Sequence, residues 1–477
     1  MSSRGGRFAK AWTKVGTRFL PFADAASADL PLPRIIRLSL FQVSVGMSMV
    51  LLTGTLNRVM IVELGVPASV VAIMVALPIV FAPVRALIGH RSDTYRSFLG
   101  WRRVPFIWMG TMLQFGGFAI MPFALLVLTG QGAAAVPYAG EVGAALAFLL
   151  VGAGLHTTQT AGLALACDLA PEKDRPRIVA LLYVMLLVGM LVSALLFSAL
   201  LADFSHLRLI QVVQGAALVT LVLNLVALWK QEGRNPAKTN PDRARASFSD
   251  TIAVFSQSAR ARRLLVAVAL GTAAFAMQDV LLEPYGGQIL RLGVGATTML
   301  TALLAAGTIA GLSIAARSLN RGADPCRLAA FGALAGLPAF AFVILSAPLD
   351  SVNVFRAGTL LIGFGGGLFA VGMLTAAMQL AEDSDSGIAL GVWGAVQATA
   401  MGLAVGAGGA IRDAVQSLAE RGVLGSAFAS PSAAYGVVYH IEIAFLFATL
   451  ITIGPLVRYV REPGEEHREF GLAEFPG

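Results

Sequence analysis

The chain has 477 residues, of which 57% are hydrophobic and only 13% are charged, and its mean hydropathy is +0.76. These values exclude a soluble globular protein and are typical of a polytopic α-helical membrane protein. The apolar runs are continuous and do not alternate with polar residues, which disfavours a β-barrel. The net charge of +8 mainly sets topology in such a protein, so no nucleic-acid partner is expected.

The N-terminal segment, residues 1–37, is basic and precedes the first long apolar run. Apolar residues recur in it at steps of three or four: Phe8, Trp12, Val15 and Phe19. This spacing predicts a basic amphipathic helix on the membrane surface, with a disordered basic tail as the alternative. We expect Pro21, Pro31 and Pro33 to break any helix before the first span. No cleavable signal is evident, because the first apolar run is long enough to span.

Twelve apolar stretches are each long enough to cross a bilayer, for which about 20 residues suffice. They lie at 38–62, 68–89, 104–129, 142–168, 178–201, 208–229, 264–290, 296–316, 327–347, 356–380, 387–411 and 435–457. A polar stretch at 230–263 follows the sixth. The sequence therefore predicts an all-α protein with two six-helix halves, 38–229 and 264–457, a central cytoplasmic loop at 230–263 and a cytoplasmic tail at 458–477. Parallel six-helix repeats are a transporter-type arrangement.

An acidic membrane segment opens the second half. Asp279 and Glu283 are four residues apart, so a regular helix would place them on one face. Each ionised carboxylate near mid-membrane costs about 2.5–3.5 kcal/mol. We expect Pro284 to break the helix beside them. The pair is interpreted as a working site facing a cavity between the halves, protonated or paired with an arginine such as Arg58 or Arg85; a packing hinge is the alternative.

The loop after the second span contains Gly89 and Asp93, followed by the basic pair Arg102 and Arg103. A Gly-x-x-x-Asp sequence with basic residues after it is similar to the cytoplasmic signature of the major facilitator superfamily. In that superfamily the Asp caps a helix end and pairs with basic residues that hold the halves together. Here the insertion before Arg102 is longer than usual. The resemblance supports a major facilitator-like fold and says little about substrate.

His156 lies near the middle of the fourth span among small residues. A neutral imidazole can bind a metal, including the magnesium of a chlorophyll-type ring, and small neighbours permit close approach of a flat ligand or of a helix. A histidine bonded to a neighbouring helix is the alternative. Glycine pairs at 363/367, 387/391 and 402/406 predict tight helix packing, with exposure of that face to a partner helix as the alternative. The sequence contains no P-loop, His-Glu-x-x-His or Cys-rich metal motif, so no nucleotide cofactor is expected.

Several segments together resemble the PucC/LhaA family of light-harvesting complex assembly proteins from purple phototrophic bacteria. They are 55–60, 82–93, 156–164, 278–286 and 391–397. The resemblance covers nearly all of the span-bearing chain, and its length and N-terminal region look more like the LhaA branch, which assists light-harvesting complex 1.

The resemblance implies a major facilitator fold used as an assembly factor and not as an enzyme. Its expected cargo is bacteriochlorophyll, and its expected partners are the light-harvesting 1 α and β polypeptides, the reaction centre and membrane lipids, with bacteriochlorophyll synthase as a further candidate. The expected location is the inner, intracytoplasmic membrane. The resemblance assigns no pigment ligands; the chemical candidates are His156, as the possible axial ligand of magnesium, Gln159, Asp279, Glu283 and Tyr285. The residues expected to serve structure or gating are Arg58, Arg85, Gly89, Asp93, Arg102 and Arg103.

Two other classes of function remain open at this point. One is a proton-coupled secondary transporter of a small or amphipathic substrate that uses Asp279 and Glu283. The other is a pigment-modifying enzyme, which the absence of a recognisable catalytic motif disfavours.

The distribution of basic residues generates a topology prediction. Of the 35 Lys and Arg residues, those assigned to the side of the termini far outnumber those assigned to the opposite side, so both termini should be cytoplasmic. Reporter fusions placed after Glu232 and Glu466 should both give a cytoplasmic signal. A periplasmic signal at either point would contradict the twelve-span topology.

Overall fold

The computed structural model describes residues 31–80, 88, 92, 101, 103–128, 138–170, 175–232, 259–381, 386–428 and 430–457. The regular structure in these ranges is entirely helical. The predicted N-terminal surface helix, the C-terminal tail and most of the central loop lie outside the described residues. So do four residues for which a structural or gating role is expected: Arg85, Gly89, Asp93 and Arg102.

Twelve long helices are found in the described ranges. Those of the first half are α1 (Leu32–Glu63), α2 (Ala68–Val80), α3 (Val104–Leu128), α4 (Ala139–Leu169), α5 (Arg175–Leu200) and α6 (His206–Leu228). Those of the second half are α7 (Ala259–Gln288), α8 (Val294–Asn320), α9 (Pro325–Ser346), α10 (Val352–Ala381), α11 (Ser386–Glu420) and α12 (Pro431–Ile453). Eleven are long and apolar enough to cross a bilayer. The description of α2 covers 13 residues, and the remainder of its predicted span lies outside it. The predicted polytopic all-α fold is confirmed.

The first helix begins earlier than predicted and is irregular further along. Pro31 occupies the N-cap and Pro33 lies in the first turn, where a proline is tolerated because its missing N–H would have no helical partner. The helix therefore begins before Pro33, and the expectation that Pro33 breaks a helix ahead of the first span was wrong; Pro21 lies outside the described residues. After a regular stretch, α1 winds as a π-helix at Val50–Thr55 and again at Val59–Glu63. Such π-turns are frequent at functional sites.

Two symmetrical helix pairs join the halves. Helix α5 packs on α8, and α11 packs on α2. Helices α5 and α11 occupy equivalent positions in the two halves, as do α2 and α8. The two pairs are therefore equivalent contacts, as expected of parallel repeats. The second part of α1 also contacts α8 and the end of α7. The interface between the halves is therefore built from α1, α2, α5 and their counterparts α7, α8, α11.

Glycines allow the closest of these inter-half contacts. Gly295 of α8 lies against the backbone of Ser198 and Ala202, and Gly409 of α11 lies against Ala68 and Ala72 of α2. A side chain at either glycine would meet backbone that cannot move aside. The predicted packing role of the 363/367 pair is confirmed, since both glycines lie on the backbone of α8. The 402/406 pair packs loosely, and nothing lies near Gly406.

Buried hydrogen bonds hold the helices of the first half together. The Ser44 hydroxyl of α1 lies 2.8 Å from Asn224 Oδ1 of α6, and Asn224 Nδ2 donates to the Thr111 hydroxyl of α3 at 2.9 Å. One turn further along α1, Ser48 lies 3.0 Å from Gln114 Oε1 of α3. Interhelical hydrogen bonds of this kind contribute about 0.6 kcal/mol each in membranes. They fix the relative axial positions of the helices, which apolar packing alone would leave poorly defined.

The two glycines on α11 generate a matched test of the inter-half contact. Gly409→Leu should destabilise the protein, because overpacking a tight contact costs about 1–3 kcal/mol. Gly406→Leu should be tolerated, because it points into open space. Both changes replace glycine with leucine in a helix, which raises helix propensity equally, by about 1 kcal/mol. The difference in stability between the two variants therefore measures the steric clash. The measurement is the thermal unfolding midpoint of each purified variant in detergent. Equal midpoints would contradict the close contact between α11 and α2.

Candidate functional site

The break in α7 lies before Pro284. The helix runs regularly to Ala276, tightens to a 3₁₀ turn at Met277–Val280 and resumes at Leu282–Gln288. Pro284 lies in the first turn of this last piece, where it is tolerated, whereas its ring would clash with the carbonyl four residues earlier in a continuous helix. The prediction that the helix breaks beside Pro284 is therefore corrected to a break one turn upstream. Asp279 and Glu283 consequently belong to different helical pieces.

Glu283 is buried at the contact between the halves. Its Oε1 accepts a hydrogen bond from the Thr301 hydroxyl of α8. Gly54 of α1 lies directly against this carboxyl group, so that any side chain at position 54 would collide with it. The π-wound part of α1 therefore supplies the space that Glu283 occupies.

Arg58 lies one turn beyond Gly54 and is buried in the same contact. Its guanidinium forms an ion pair with Glu63 and donates to the Leu292 carbonyl at 3.0 Å, beyond the end of α7. It packs over Gly287 of α7 and is close enough to Glu283 to interact electrostatically. A glycine thus faces a charged side chain on each side of the interface. Arg58 is the expected arginine near the acidic pair, although its hydrogen bonds go to other acceptors.

Asp279 lies at the break itself and is only partly buried. Its Oδ1 accepts from the amide of Gln278, and its backbone carbonyl accepts from Asn57 Nδ2 at 3.2 Å. Asn57 belongs to α1, so this is a second polar link between the halves. The hydroxyls of Thr55 and Thr298, 3.2 Å apart, provide a third.

A further buried carboxyl group, that of Glu442 on α12, was missed in the sequence. It lies close enough to Asp279 to interact electrostatically, and the backbone N–H of Gln278 is nearby. Neither of its oxygens makes a hydrogen bond of normal geometry within the described residues. Glu442 is the single charged residue of the span 435–457, and that signal could have identified it. Burying a polar group without partners is costly, so such a group needs a structural or functional reason.

Tyr285 is buried in an aromatic cluster beside these carboxyl groups. Its ring makes edge contacts with Tyr435 and Tyr439, with centroids 5.5 and 5.6 Å apart. Its hydroxyl donates to the Val343 carbonyl at 3.1 Å. Tyr285 is therefore part of the core of the second half, where it packs between α7, α9 and α12.

The polar contacts between the halves lie at one end of the bundle. We call it the distal end: the end where α1 finishes and α2 begins, opposite the start of α1 and the end of α12. There the Ser69 N–H at the start of α2 donates to Asp413 Oδ2 of α11 at 2.7 Å. Arg412 bonds both Asp413 and Gln288 at 2.9 Å. An acidic group at a helix N-terminus is stabilised by the helix dipole. The arrangement closes the distal end.

Arg103 occupies the opposite end of the bundle. It forms an ion pair with Asp168 at 3.0 Å, donates to the Ser92 hydroxyl, and its backbone N–H donates to Glu232. These partners all belong to the first half or to the start of the central loop. The prediction that the signature joins both halves rests on residues outside the described part.

His156 and Gln159 lie on α4, in the first half. His156 is half-buried, and Gln159 Nε2 lies 3.5 Å from Gln42 Oε1 of α1. The glycines near His156 are occupied by neighbouring helices: Gly152 lies against Pro78, and Gly154 against Gly110 and Gln114. The small residues of this segment therefore serve helix packing. The role of His156 as a pigment ligand stays a prediction.

An apolar groove opens on the outer surface of the second half. It has a volume of about 590 Å³ and lies between α7, α11 and α12. Its walls include Met277 at the break of α7, Leu403 of α11, and Ile441 and Phe445 of α12. Leu403 is 71% exposed, so the groove is open at the surface of the second half. Its lining is almost entirely apolar, which suits a long hydrocarbon group.

A sequence model described as PUCC protein matches residues 55–460. The chain belongs to the PUCC family. The match covers both halves, including the interface part of α1 and the broken α7, so the predicted family is confirmed.

Individual relatives agree with this assignment. The chain is 59% identical to Protein PucC of Rhodovulum sulfidophilum, over 84% of this chain and 90% of that protein. It is 54% identical to an uncharacterized protein in the puhA-bchM intergenic region of Rhodobacter capsulatus, over 96% and 97% of the two chains. A more distant relative, 29% identical over 79% of this chain and 87% of that protein, is the bacteriochlorophyll synthase 44.5 kDa chain of Rhodobacter capsulatus.

Among solved structures, the nucleoside transporter NupG (D323A mutant) superposes with a TM-score of 0.65, covering 89% of this chain and 100% of that one at 14% identity. This likeness shows the fold alone. The predicted major facilitator-like architecture is confirmed, and the assignment to the LhaA branch stays a prediction.

The buried position of Arg58 generates a stability prediction. Arg58→Met should lower stability by on the order of 3 kcal/mol, because it leaves Glu63, the Leu292 carbonyl and Glu283 without their cation. Arg421→Met, at an exposed site of the distal end, should change stability by less than about 0.5 kcal/mol. Thermal unfolding of both variants in detergent measures the difference. A variant at position 58 as stable as the one at 421 would show that Arg58 does not hold the halves together.

Proposed function

We propose that this PUCC-family protein is an assembly factor for the light-harvesting 1 antenna around the reaction centre. It holds or delivers bacteriochlorophyll while the antenna polypeptides are inserted. The observation that carries the proposal is the family match across both halves, with 59% identity to a PucC protein. The proposal assigns no catalysed reaction to the chain.

The apolar groove gives the proposal a physical basis. A pigment with a long hydrocarbon tail cannot cross water cheaply, since each buried methylene is worth about 0.8 kcal/mol. It therefore has to be handed over within the membrane. The groove between α7, α11 and α12 is lined by apolar side chains and opens to lipid. A cargo that enters it never leaves the hydrocarbon phase.

The polar contacts between the halves supply a second part of the proposal. Two carboxyl groups, the buried Glu442 and the partly buried Asp279, lie close together at the break of α7, and Met277 of the same break lines the groove. A change in protonation or hydrogen bonding at the pair would therefore reach the groove through one short 3₁₀ turn. We propose that this turn couples the arrangement of the halves to cargo in the groove.

The proposed partners follow from the family and the chemistry of the surface. They are the light-harvesting 1 α and β polypeptides, the reaction centre and membrane lipids. Bacteriochlorophyll synthase is a further candidate, since a relative of this chain carries that name. The proposed location is the bacterial inner, intracytoplasmic membrane with both termini in the cytoplasm, where basic segments would meet anionic lipid headgroups.

A proton-coupled transporter is the second candidate function. The NupG-like fold favours it, as do buried carboxyl groups at an interface between halves, which are typical of proton-linked carriers. The transporter hypothesis predicts that proteoliposomes containing the protein take up a substrate and that this uptake depends on a proton gradient. The assembly hypothesis requires no such uptake.

Deletion in a phototrophic host tests the proposed function. The deletion strain should lose the membrane absorption band of complex 1 while it keeps antenna transcripts and total bacteriochlorophyll synthesis. Complementation with the wild-type chain should restore the band. The variant with Asp279→Asn and Glu283→Gln should insert normally and restore it only partly, because the polar links at the α7 break are altered.

Other outcomes of the deletion distinguish the alternatives. Loss of bacteriochlorophyll itself would favour a pigment-modifying enzyme. An unchanged spectrum would defeat the assembly proposal. Full restoration by the double variant would return Asp279 and Glu283 to a structural role.

A further inference from the structure

A histidine faces the lipid on the outer surface of α12. His440 is exposed and is the tenth residue of the apolar stretch Pro431–Leu456. Five residues beyond the start of the predicted span at 435, it lies roughly 8 Å inside a hydrocarbon layer about 30 Å thick. Ionisable side chains in a membrane helix normally face the protein interior. An outward-facing imidazole at this depth therefore needs an explanation.

The hydrogen bond of His440 fixes its tautomer. Its Nδ1 lies 2.7 Å from the Gly436 carbonyl of the preceding turn. A carbonyl oxygen only accepts, so Nδ1 carries the proton, and the neutral ring presents the lone pair of Nε2 outward. Histidines that bind metals are oriented in this way, with the other ring nitrogen donating to a carbonyl or carboxylate.

The surface around His440 is flat and apolar. Gly436 precedes it by one turn with nothing within 4 Å of the position of a side chain, and Ala444 follows it by one turn. Farther along the same face lie Phe447, 53% exposed, and Ile451, 77% exposed. A planar group can lie against this face over Gly436 and Ala444.

These features select the class of ligand. The described part of the chain contains no group of three or more His, Cys, Asp or Glu residues that would hold a free metal ion. A metal bound by His440 must therefore bring its own equatorial ligands, as the metal of a tetrapyrrole does. The exposed face of Gly436, Ala444, Phe447 and Ile451 offers no cation for propionate groups. The chemistry therefore favours a magnesium tetrapyrrole with an esterified tail over haem.

The groove provides a place for such a tail. Ile441 and Phe445, which follow His440 by one and five positions, are walls of the groove between α7, α11 and α12. The surface of α12 leads from His440 past Ala444 to these side chains without an exposed charged residue, because Glu442 in the same segment is buried. A ring on His440 and a tail in the groove would occupy one continuous apolar surface.

We propose that His440 is the axial ligand of a membrane-dissolved magnesium tetrapyrrole whose hydrocarbon tail lies in the groove. The inference deepens the proposed function and rests on it for the cargo. It differs from the expectation for His156, because the small residues near His156 are covered by other helices, whereas Gly436 beside His440 is open.

Pigment binding to the purified full-length chain in lipid nanodiscs tests this site. Bacteriochlorophyll is the probe, haem b is the comparison, and absorption and resonance Raman spectra report axial ligation. His440→Leu should weaken bacteriochlorophyll binding at least tenfold and remove the histidine-ligated signature. Gly436→Leu should do the same by filling the space for the ring. Arg421→Met, at an exposed site of the distal end, should bind as the wild type does. The position is exposed, so thermal unfolding of the His440 variant should be unchanged.

The tail is tested separately with a tail-free pigment. Ala407→Phe narrows the groove and should weaken binding of bacteriochlorophyll but not of methyl bacteriochlorophyllide, which lacks the long tail but keeps the carboxyl group esterified. Equal effects on both pigments would remove the groove from the proposal.

The ligand assignment is overturned if His440→Leu binds normally, if His156→Leu alone loses the signature, if haem b binds as tightly, or if the wild type binds no pigment. Antenna assembly in the deletion strain is measured separately, from the absorption band of complex 1. Assembly restored by the wild-type chain despite any of these results would leave the proposed function standing and remove only the His440 site.

Discussion

The burial of Arg58 between the two halves is the interaction on which the rest of the described interface depends. A guanidinium in a low-dielectric region must keep its partners, because losing one leaves an uncompensated charge. Its partners come from both halves: Glu63 from α1 and the Leu292 carbonyl from the α7–α8 connection. The halves are thus held in register at the distal end by a charge that cannot be exposed cheaply.

The local irregularities of α1 and α7 follow from that constraint. Gly54 lies against Glu283, and Gly287 lies against Arg58. A glycine, which has no side chain, therefore leaves space for each charged side chain across the contact. The π-wound turns of α1 and the 3₁₀ turn of α7 set this register. A regular helix on either side would rotate one charged group away from its glycine. Irregular backbone is tolerated at this depth because it is enclosed by protein and its polar groups find partners there.

The inner and outer surfaces of the second half carry different chemistry. Toward the first half, the break of α7 presents carboxyl groups and amides, and toward the lipid the same segment presents Met277 in an apolar groove. Helix α12 has the same division, with Glu442 buried and His440 exposed only two positions earlier. A fold shared with transporters can therefore offer a lateral surface for apolar cargo and still keep a polar interface between its halves.

The sequence by itself determined the membrane helices, the two halves, the acidic segment and the family. These follow from composition and from the length of apolar runs, because a chain in lipid must satisfy its backbone within helices. Tertiary structure alone decided where α7 breaks, which carbonyl Arg58 bonds, and that Glu442 faces inward while His440 faces outward. A membrane helix is apolar on both its lipid face and its packed face, so hydrophobic periodicity cannot distinguish them. Only the packing of neighbouring helices assigns each side chain its surroundings.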